Sequence, residues 1–311
     1  VRVLIMTGGA DTGGQGIRIR TAFSLFKPDW EVRSVTAGRN YIDHDEDVFW
    51  RSNQDDVARL YDKADVVHVR NTFDPYRRFQ KRRRSRKPVV IQHHGSMFRA
   101  DHRHLMAQAR QLGATTLVST RDLLRFAPTE AEWLPSPHDL EALARARQNT
   151  DRDPDKIIIH HSPTNRRVKD TALFEEVGDA LMEKHPNVEC RVVEQTSWKQ
   201  NIALKAEADI VYDQLQLGWG NNAVEAWAMG IPVVAGVVDP QVRELMLLQL
   251  GELPIVEAAH GTLYAVLEGL VQSEQARQEA GRRGLRYVQR WHDHEDVVPR
   301  LVDIYERAGV A

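Results

Sequence analysis

Only one of the 311 residues is a cysteine, Cys190. No internal disulfide framework can therefore form, and a reducing compartment is expected. No apolar run approaches the ~18 residues that a membrane-spanning helix needs, so membrane insertion is not expected and the predicted location is cytoplasmic. The net charge is only −2, which excludes a whole-molecule bias toward nucleic acid or membrane. The first strand-to-helix turn lacks the G-x-G-x-x-G spacing of nicotinamide and flavin binding. It also lacks the lysine of a P-loop, because Gly14 stands where that lysine belongs. No cysteine or carboxylate accompanies His93 and His94 at ligand spacing, and Asp151-Arg152-Asp153 lies in a linker, so no metal and no cofactor are expected.

What is present is a soluble composition, 42% hydrophobic and 28% charged, in a chain long enough for two domains with their own cores. Short buried strands alternate with amphipathic helices throughout. Strands are predicted over residues 3–6, 31–35, 66–69, 89–92 and 116–119, then over 157–160, 189–193, 210–212, 232–235 and 254–256. Helices include residues 138–148, 168–184 and 294–308, the last opened by Asp293 as its cap. Near-continuous apolar strands separated by helices imply parallel sheets covered on both faces, with ligands at the C-terminal strand ends. The fold class is α/β. Pro/Ser punctuation at Leu134-Pro135-Ser136-Pro137 marks the change between two doubly wound domains, 1–136 and 137–290, followed by a terminal helix in 291–311.

Four segments carry chemistry. The stretch 208–236 reads as a strand, a Gly/Asn-rich loop, a small-residue helix bearing Glu225, and a second buried strand. Backbone N–H groups and a helix N-terminus suit a phosphate there, and a lone carboxylate one turn into the helix suits a sugar hydroxyl. A second segment, residues 89–96, ends a buried strand in His93, His94 and Gly95, placing imidazoles where ligands bind. A third, residues 157–170, places Arg166 and Lys169 around a helix start, where they can converge on a diphosphate. The first turn, residues 7–16, holds five glycines that let backbone approach a ligand closely.

In this order the segments resemble a GT-B glycosyltransferase of the large retaining family-4-like group, which includes sucrose synthases and phosphatidylinositol mannosyltransferases. Asp11-Thr12-Gly13-Gly14-Gln15 is similar to that family's N-terminal glycine loop, and His93-His94-Gly95 to its histidine segment. The run from His161 to Lys169 is similar to its Arg/Lys clamp. The run from Gly218 to Val234 is similar to its donor motif, the most specific of the four. The resemblance implies two Rossmann-like domains with a central cleft, the first on the acceptor side and the second holding the donor. It also implies that the final helix crosses back to the first domain. Catalytic roles fall on His94, Arg166, Lys169 and Glu225. His94 would touch the transferred sugar, Arg166 and Lys169 would bind the diphosphate, and Glu225 would hold ribose or sugar hydroxyls. Nucleotide-sugar contacts fall on Gly13, Gly14, Gln15, Asn165, Asp213, Gln214, Trp219, Gly220, Asn221 and Asn222. Two departures stand out: Leu217 replaces the first of two glutamates, with Asp213 and Gln214 just upstream, and Arg166 lies only three residues from Lys169.

The implied activity is sugar transfer from a nucleoside-diphosphate donor to a hydroxyl acceptor with retention. The alternatives are a nucleotide-sugar epimerase or hydrolase on the same fold, and a non-catalytic sugar- or nucleic-acid-binding protein. Residues 77–87 carry eight basic residues in eleven, including Arg82, Arg83 and Arg84. They read either as a solvated, internally paired face or as a contact for an anionic acceptor, a lipid surface or nucleic acid. Acidic residues in 43–47 offset them in the total.

Overall fold

The computed structural model describes residues 1–9, 11, 13–39, 41–45, 47–84 and 86–310. Ala10 and Thr12 of the glycine loop, Glu46 of the acidic run and Ser85 of the basic run lie outside the described residues. The chain divides into two compact units, Val1–His138 with Asp293–Ala311, and Asp139–His292.

The first unit contains β1 (Arg2–Thr7), α1 (Gln15–Phe26), β2 (Glu31–Thr36), β3 (Val48–Phe49), α2 (Gln54–Lys63), β4 (Val66–Arg70), α3 (Asp74–Arg83), β5 (Val89–His93), α4 (Gly95–Leu112), β6 (Thr115–Val118) and β7 (Ala131–Trp133). Its seven strands form one parallel sheet in the order β3-β2-β1-β4-β5-β6-β7. The pleat sorts the strand residues onto two cores. Val3 and Ile5 enter one cluster, and Leu4 and Met6 enter the other. The sequence pattern does not show β3 and β7. At two and three residues they have no period of their own and exist by pairing with β2 and β6.

The second unit contains α5 (Leu140–Gln148), β8 (Ile157–His161), α6 (Thr171–Lys184), β9 (Val188–Val192), α7 (Trp198–Ala206), β10 (Ile210–Tyr212), α8 (Asn221–Ala228), β11 (Val233–Ala235), α9 (Pro240–Leu250), β12 (Val256–Glu257), α10 (Leu263–Gln272) and α11 (Glu274–Trp291). Its parallel sheet runs β12-β11-β10-β8-β9. Helix α11 reaches α8 because Gly284 has no side chain: a Cβ there would lie 1.9 Å from Cδ1 of the buried Trp227.

The last helix, α12 (His294–Arg307), belongs to the first unit. Asp293 caps it by accepting from the Glu295 N–H at 3.2 Å. Its apolar stripe (Val297, Leu301, Ile304, Tyr305) completes the cluster that holds Phe23 and Trp30. The Tyr305 hydroxyl meets His68 Nδ1 at 2.8 Å, so the one polar group in that stripe is satisfied.

Each sheet reverses its strand order once, between β1 and β4 in the first unit and between β8 and β10 in the second. Such switch points open a crevice at the C-terminal strand ends. Asp11 and Arg70 lie at the first of these places, and Lys169 and Asp213 at the second.

Candidate functional site

At the β1/β4 switch point of the first unit, the glycine loop folds back on itself. The Gly14 N–H donates to the Asp11 carbonyl at 3.0 Å, and Gly14 adopts φ 59°, a left-handed conformation. A Cβ on Gly14 would collide with the His44 ring at 2.4 Å, so the loop passes as bare backbone. Gln15 opens α1 and is buried, its Oε1 without a hydrogen-bond partner among the described residues.

The Asp11 side chain turns inward. Its Oδ2 accepts from the Gly16 N–H and from Arg70 Nη1, both at 2.7 Å. Burial works to raise the Asp11 pKa, but the Arg70 charge and these bonds leave it lowered, so Asp11 is ionised. Arg70 ends β4 with its side chain only 3% exposed. Its other nitrogens, Nη2 and Nε, lie 2.8 and 3.1 Å from His94 Nε2. His94 is the N-cap residue of α4, and its backbone N–H donates to Asn71 Oδ1 at 2.9 Å. Burial, then the Arg70 charge, holds the His94 pKa well below the ordinary imidazole value. His93 has the plainer role of a core ring stacked on Phe98 at 4.5 Å, with its pKa pushed by burial to about 4.

At the β8/β10 switch point of the second unit, Asp213 follows β10 and is almost wholly buried. Its Oδ1 holds the Lys169 ammonium, and its Oδ2 accepts from the Gly220 N–H at 2.8 Å. Burial alone would raise the Asp213 pKa; Lys169 and Gly220 leave it lowered. One carboxylate thus places a lysine beside the first turn of α8, where N–H groups point outward from the helix. Asn222 in that turn accepts from the Ser162 hydroxyl at 2.8 Å, and its buried Nδ2 has no partner among the described residues. Behind Lys169, His161 donates from Nδ1 to the Tyr212 carbonyl at 3.1 Å and accepts at Nε2 from the Thr171 hydroxyl at 2.9 Å. Its pKa, pushed by burial to about 4, keeps that ring neutral.

Several expectations need correction. Helix α6 begins at Thr171, capped by Asp170 in a left-handed conformation, so Arg166 and Lys169 lie in the turn before it. They do not converge: Arg166 is half exposed and reaches Glu175 and Glu194 at 2.6 Å, while Lys169 turns in to Asp213. Asn165 caps the turn, its Oδ1 accepting from Arg167 and Val168, both at 3.1 Å. Glu225 is not a lone carboxylate. Its Oε1 accepts from Trp198 Nε1 at 2.8 Å, and its Oε2 pairs with Lys205, whose side chain is 0% exposed. Trp219 packs edge-on against Trp227 and Tyr287, with its Nε1 donating to the Tyr287 hydroxyl at 3.3 Å. Gln214 is buried and lends its carbonyl to the Gly236 N–H, while Leu217 is bridged to Val237. Asn221 begins α8, Gly220 precedes it, and Gly13 carries the carbonyl that Arg18 Nε contacts at 3.3 Å. Arg82 and Arg83 pair with Asp55 and Asp62, and Arg84 is the exposed C-cap of α3.

Arg70, Lys205 and Trp198 are missing from the sequence-based set. Lys205 had a readable signal, since it shares with Trp198 and Ile202 a stripe at helical spacing where an apolar residue belongs. Arg70 had one too, as a charged residue ending an otherwise apolar strand. Among the described residues, no group of three or more His, Cys, Asp or Glu is placed to hold a metal ion, and no helix is long and apolar enough to cross a membrane.

No family model and no curated protein matches the chain. Solved structures do. An α-glucosyltransferase in complex with UDP and a 13-mer DNA containing a HMU base superposes with a TM-score of 0.70 at 12% identity, over 97% of this chain and 98% of that one. Sucrose-phosphate synthase from Thermosynechococcus elongatus gives 0.66 at 14% identity, over 99% of both chains. The chain has the GT-B fold. A third GT-B likeness is Anabaena HepE in complex with UDP and glucose, with a TM-score of 0.67 at 12% identity, over 98% of this chain and 99% of that one. Both clusters described above stand at the switch points of the two GT-B sheets.

Proposed function

We propose that this protein is a glycosyltransferase that moves a sugar, with retention, from a nucleoside-diphosphate donor to a hydroxyl acceptor. One observation carries the reading: Asp213 binds both Lys169 and the Gly220 N–H, setting an ammonium group beside the N-terminus of α8. A helix N-terminus with an adjacent lysine attracts a diphosphate and stabilises the charge that develops as it leaves. Lys169 is the cation assigned to that task; Arg166, tied to Glu175 and Glu194, supports the turn that carries it. Glu225 contributes by anchoring α8 through Trp198 and Lys205 rather than as an open hydroxyl acceptor. UDP-sugars are the donors to try first, since two of the structural neighbours are bound to UDP.

On the acceptor side we assign His94 to meet a substrate oxygen, with the glycine loop beside it. The charge of the chain is unevenly divided. The first unit has 25 basic against 21 acidic residues, and the second has 17 against 23. Residues 70–110 alone hold twelve basic and two acidic residues. This favours a polyanionic acceptor, and the DNA-bound neighbour makes DNA carrying hydroxymethylated bases the first to test.

The test is a thermal-shift series with UDP, GDP, ADP and their hexose conjugates on the wild type and on Asn222→Asp. A bound ligand at one hundred times its dissociation constant adds about 2.7 kcal/mol of stability. Asparagine to aspartate keeps the acceptor for Ser162 and suits a helix N-terminus, so the free variant stays folded while a diphosphate is repelled. A shift with one nucleotide, lost in Asn222→Asp, supports donor binding. Radiolabel transfer to hydroxymethylated DNA then establishes the reaction. No shift with any nucleotide overturns it.

A further inference from the structure

We propose that Arg70, held in place by Asp11, is a positioning residue that fixes His94 as a hydrogen-bond donor through Nδ1–H and withholds it from acid–base work. The inference rests on the assignment of His94 to the substrate above, but the bond pattern that carries it does not depend on any ligand.

A guanidinium has five N–H donors and no acceptor. Both Nη2 and Nε of Arg70 point at one atom, His94 Nε2, at 2.8 and 3.1 Å. That atom must supply a lone pair, so the single proton of the neutral ring sits on Nδ1. Protonating the ring would set an N–H against two N–H groups and a positive charge against a positive charge. The arginine cannot swing away to relieve this. Its side chain is 3% exposed and its Nη1 is bound to Asp11 Oδ2, which is itself held by the Gly16 N–H at the start of α1. On the other side, the His94 backbone is fixed by Asn71, a residue in a left-handed conformation at the end of β4. The relay therefore joins the loops after β1, β4 and β5 across the switch point.

The other titratable and charged groups near His94 do not oppose this. His68 on β4 and His93 on β5 are buried, with pKa values pushed down to about 3 and about 4, so both are neutral. Arg99 on α4 is engaged by Asp122 at 2.6 Å, and His44 lies against Gly14. Asp122 is spent on Arg99, and Asp11 is spent on Arg70 and reaches His94 only through it. The ring thus offers a donor of fixed direction to an oxygen that accepts, a sugar hydroxyl or a phosphoryl oxygen, and it takes no proton from the acceptor.

The experiment is long-range ¹H–¹⁵N spectroscopy of the full chain with ¹⁵N-labelled histidine, with the His94 signals assigned by their loss in His94→Asn. The wild type should show an unprotonated Nε2 and a protonated Nδ1, unchanged from pH 8 to pH 5.5. In Arg70→Met the tautomer should no longer be fixed and the ring should titrate at a higher pH than in the wild type, with burial still holding it below the ordinary imidazole value. Arg70→Lys should keep part of the Nδ1–H tautomer preference and of the low pKa, because an ammonium also only donates. Should Arg70→Met fail to fold with Asp11 left unpaired, the pair Asp11→Asn with Arg70→Met removes both charges and gives the same readout. A protonated Nε2 in the wild type, or an unchanged tautomer and pH response in the variant, overturns the proposal. The spectra need no turnover. A protein that binds no donor yet shows the stated tautomer refutes the transferase reading and leaves the lock standing.

Discussion

Replacing Glu225 with glutamine removes one charge from a pair that is almost entirely out of water. Lys205 is 0% exposed at its side chain and Glu225 6%, and they bind each other within the core of the second unit. Glutamine keeps the shape and can still accept the Trp198 N–H that now lies 2.8 Å from Oε1. The ion pair is lost, and the glutamine amide N–H2 then faces an ammonium left buried and uncompensated. Breaking such a pair from one side costs about 3–5 kcal/mol. Glu225→Gln should cost at least about 3 kcal/mol, because it keeps the Trp198 bond but turns an amide N–H toward the ammonium. Glu225→Ala also strands the Trp198 N–H and opens a hole, which brings it to about 5 kcal/mol. Removing both charges, as in Glu225→Gln with Lys205→Met, eliminates the uncompensated ion and should return the protein to within about 1 kcal/mol of wild type. The coupling is then at least about 2 kcal/mol. Native-state hydrogen exchange read on peptides from α7 and α8 measures these values locally, without assuming that the two units unfold together. A single variant costing under about 1 kcal/mol, or a double variant as unstable as the single, would refute the pair as the anchor of α8.

The buried histidines predict a second outcome, loss of stability in mild acid. Burial lowers His160 to about 3 and His161 to about 4 in the second unit, and His68 to about 3 and His93 to about 4 in the first. Because these folded values lie below the unfolded value of about 6.5, the unfolded chain binds more protons and stability falls as pH drops through 6.5. At pH 5 each ring removes about 2 kcal/mol, or about 4 kcal/mol per unit, before the lowered pKa values of Asp11 and Asp213 come into play. Calorimetry between pH 7.5 and 5 checks this, and a flat Tm across that range would contradict it. Two glycine-to-alanine changes should have opposite signs. Gly284→Ala drives a methyl into the fully buried Trp227 ring and should cost about 2 kcal/mol or more, whereas Gly269→Ala in α10 meets nothing within 4 Å and should gain up to about 1 kcal/mol. Urea denaturation of both variants decides the pair.

The parallel sheets were legible from the sequence because their strands are short, apolar and punctuated by helices, as in residues 3–6 and 210–212. Pattern could also place His94, Lys169 and Gly220 at C-terminal strand ends, since a chain leaving a parallel strand has only that edge to run along. The turn before α8 was readable for the same local reason: glycine and asparagine before a small-residue helix make a turn that exposes N–H groups. Partnership between residues distant in sequence was not readable. Arg70 meets Asp11 across 59 positions, Lys169 meets Asp213 across 44, and Glu225 meets Lys205 across 20. Sequence supplied the charges at these positions but no rule for which carboxylate each cation would take. Arg166 and Glu225 show the consequence, for both looked open to a ligand, yet Arg166 is paired at the surface with Glu175 and Glu194 and Glu225 is buried against Lys205. A cation settles on whichever carboxylate the packed sheets bring within about 3 Å in low dielectric, and only the tertiary structure decides that.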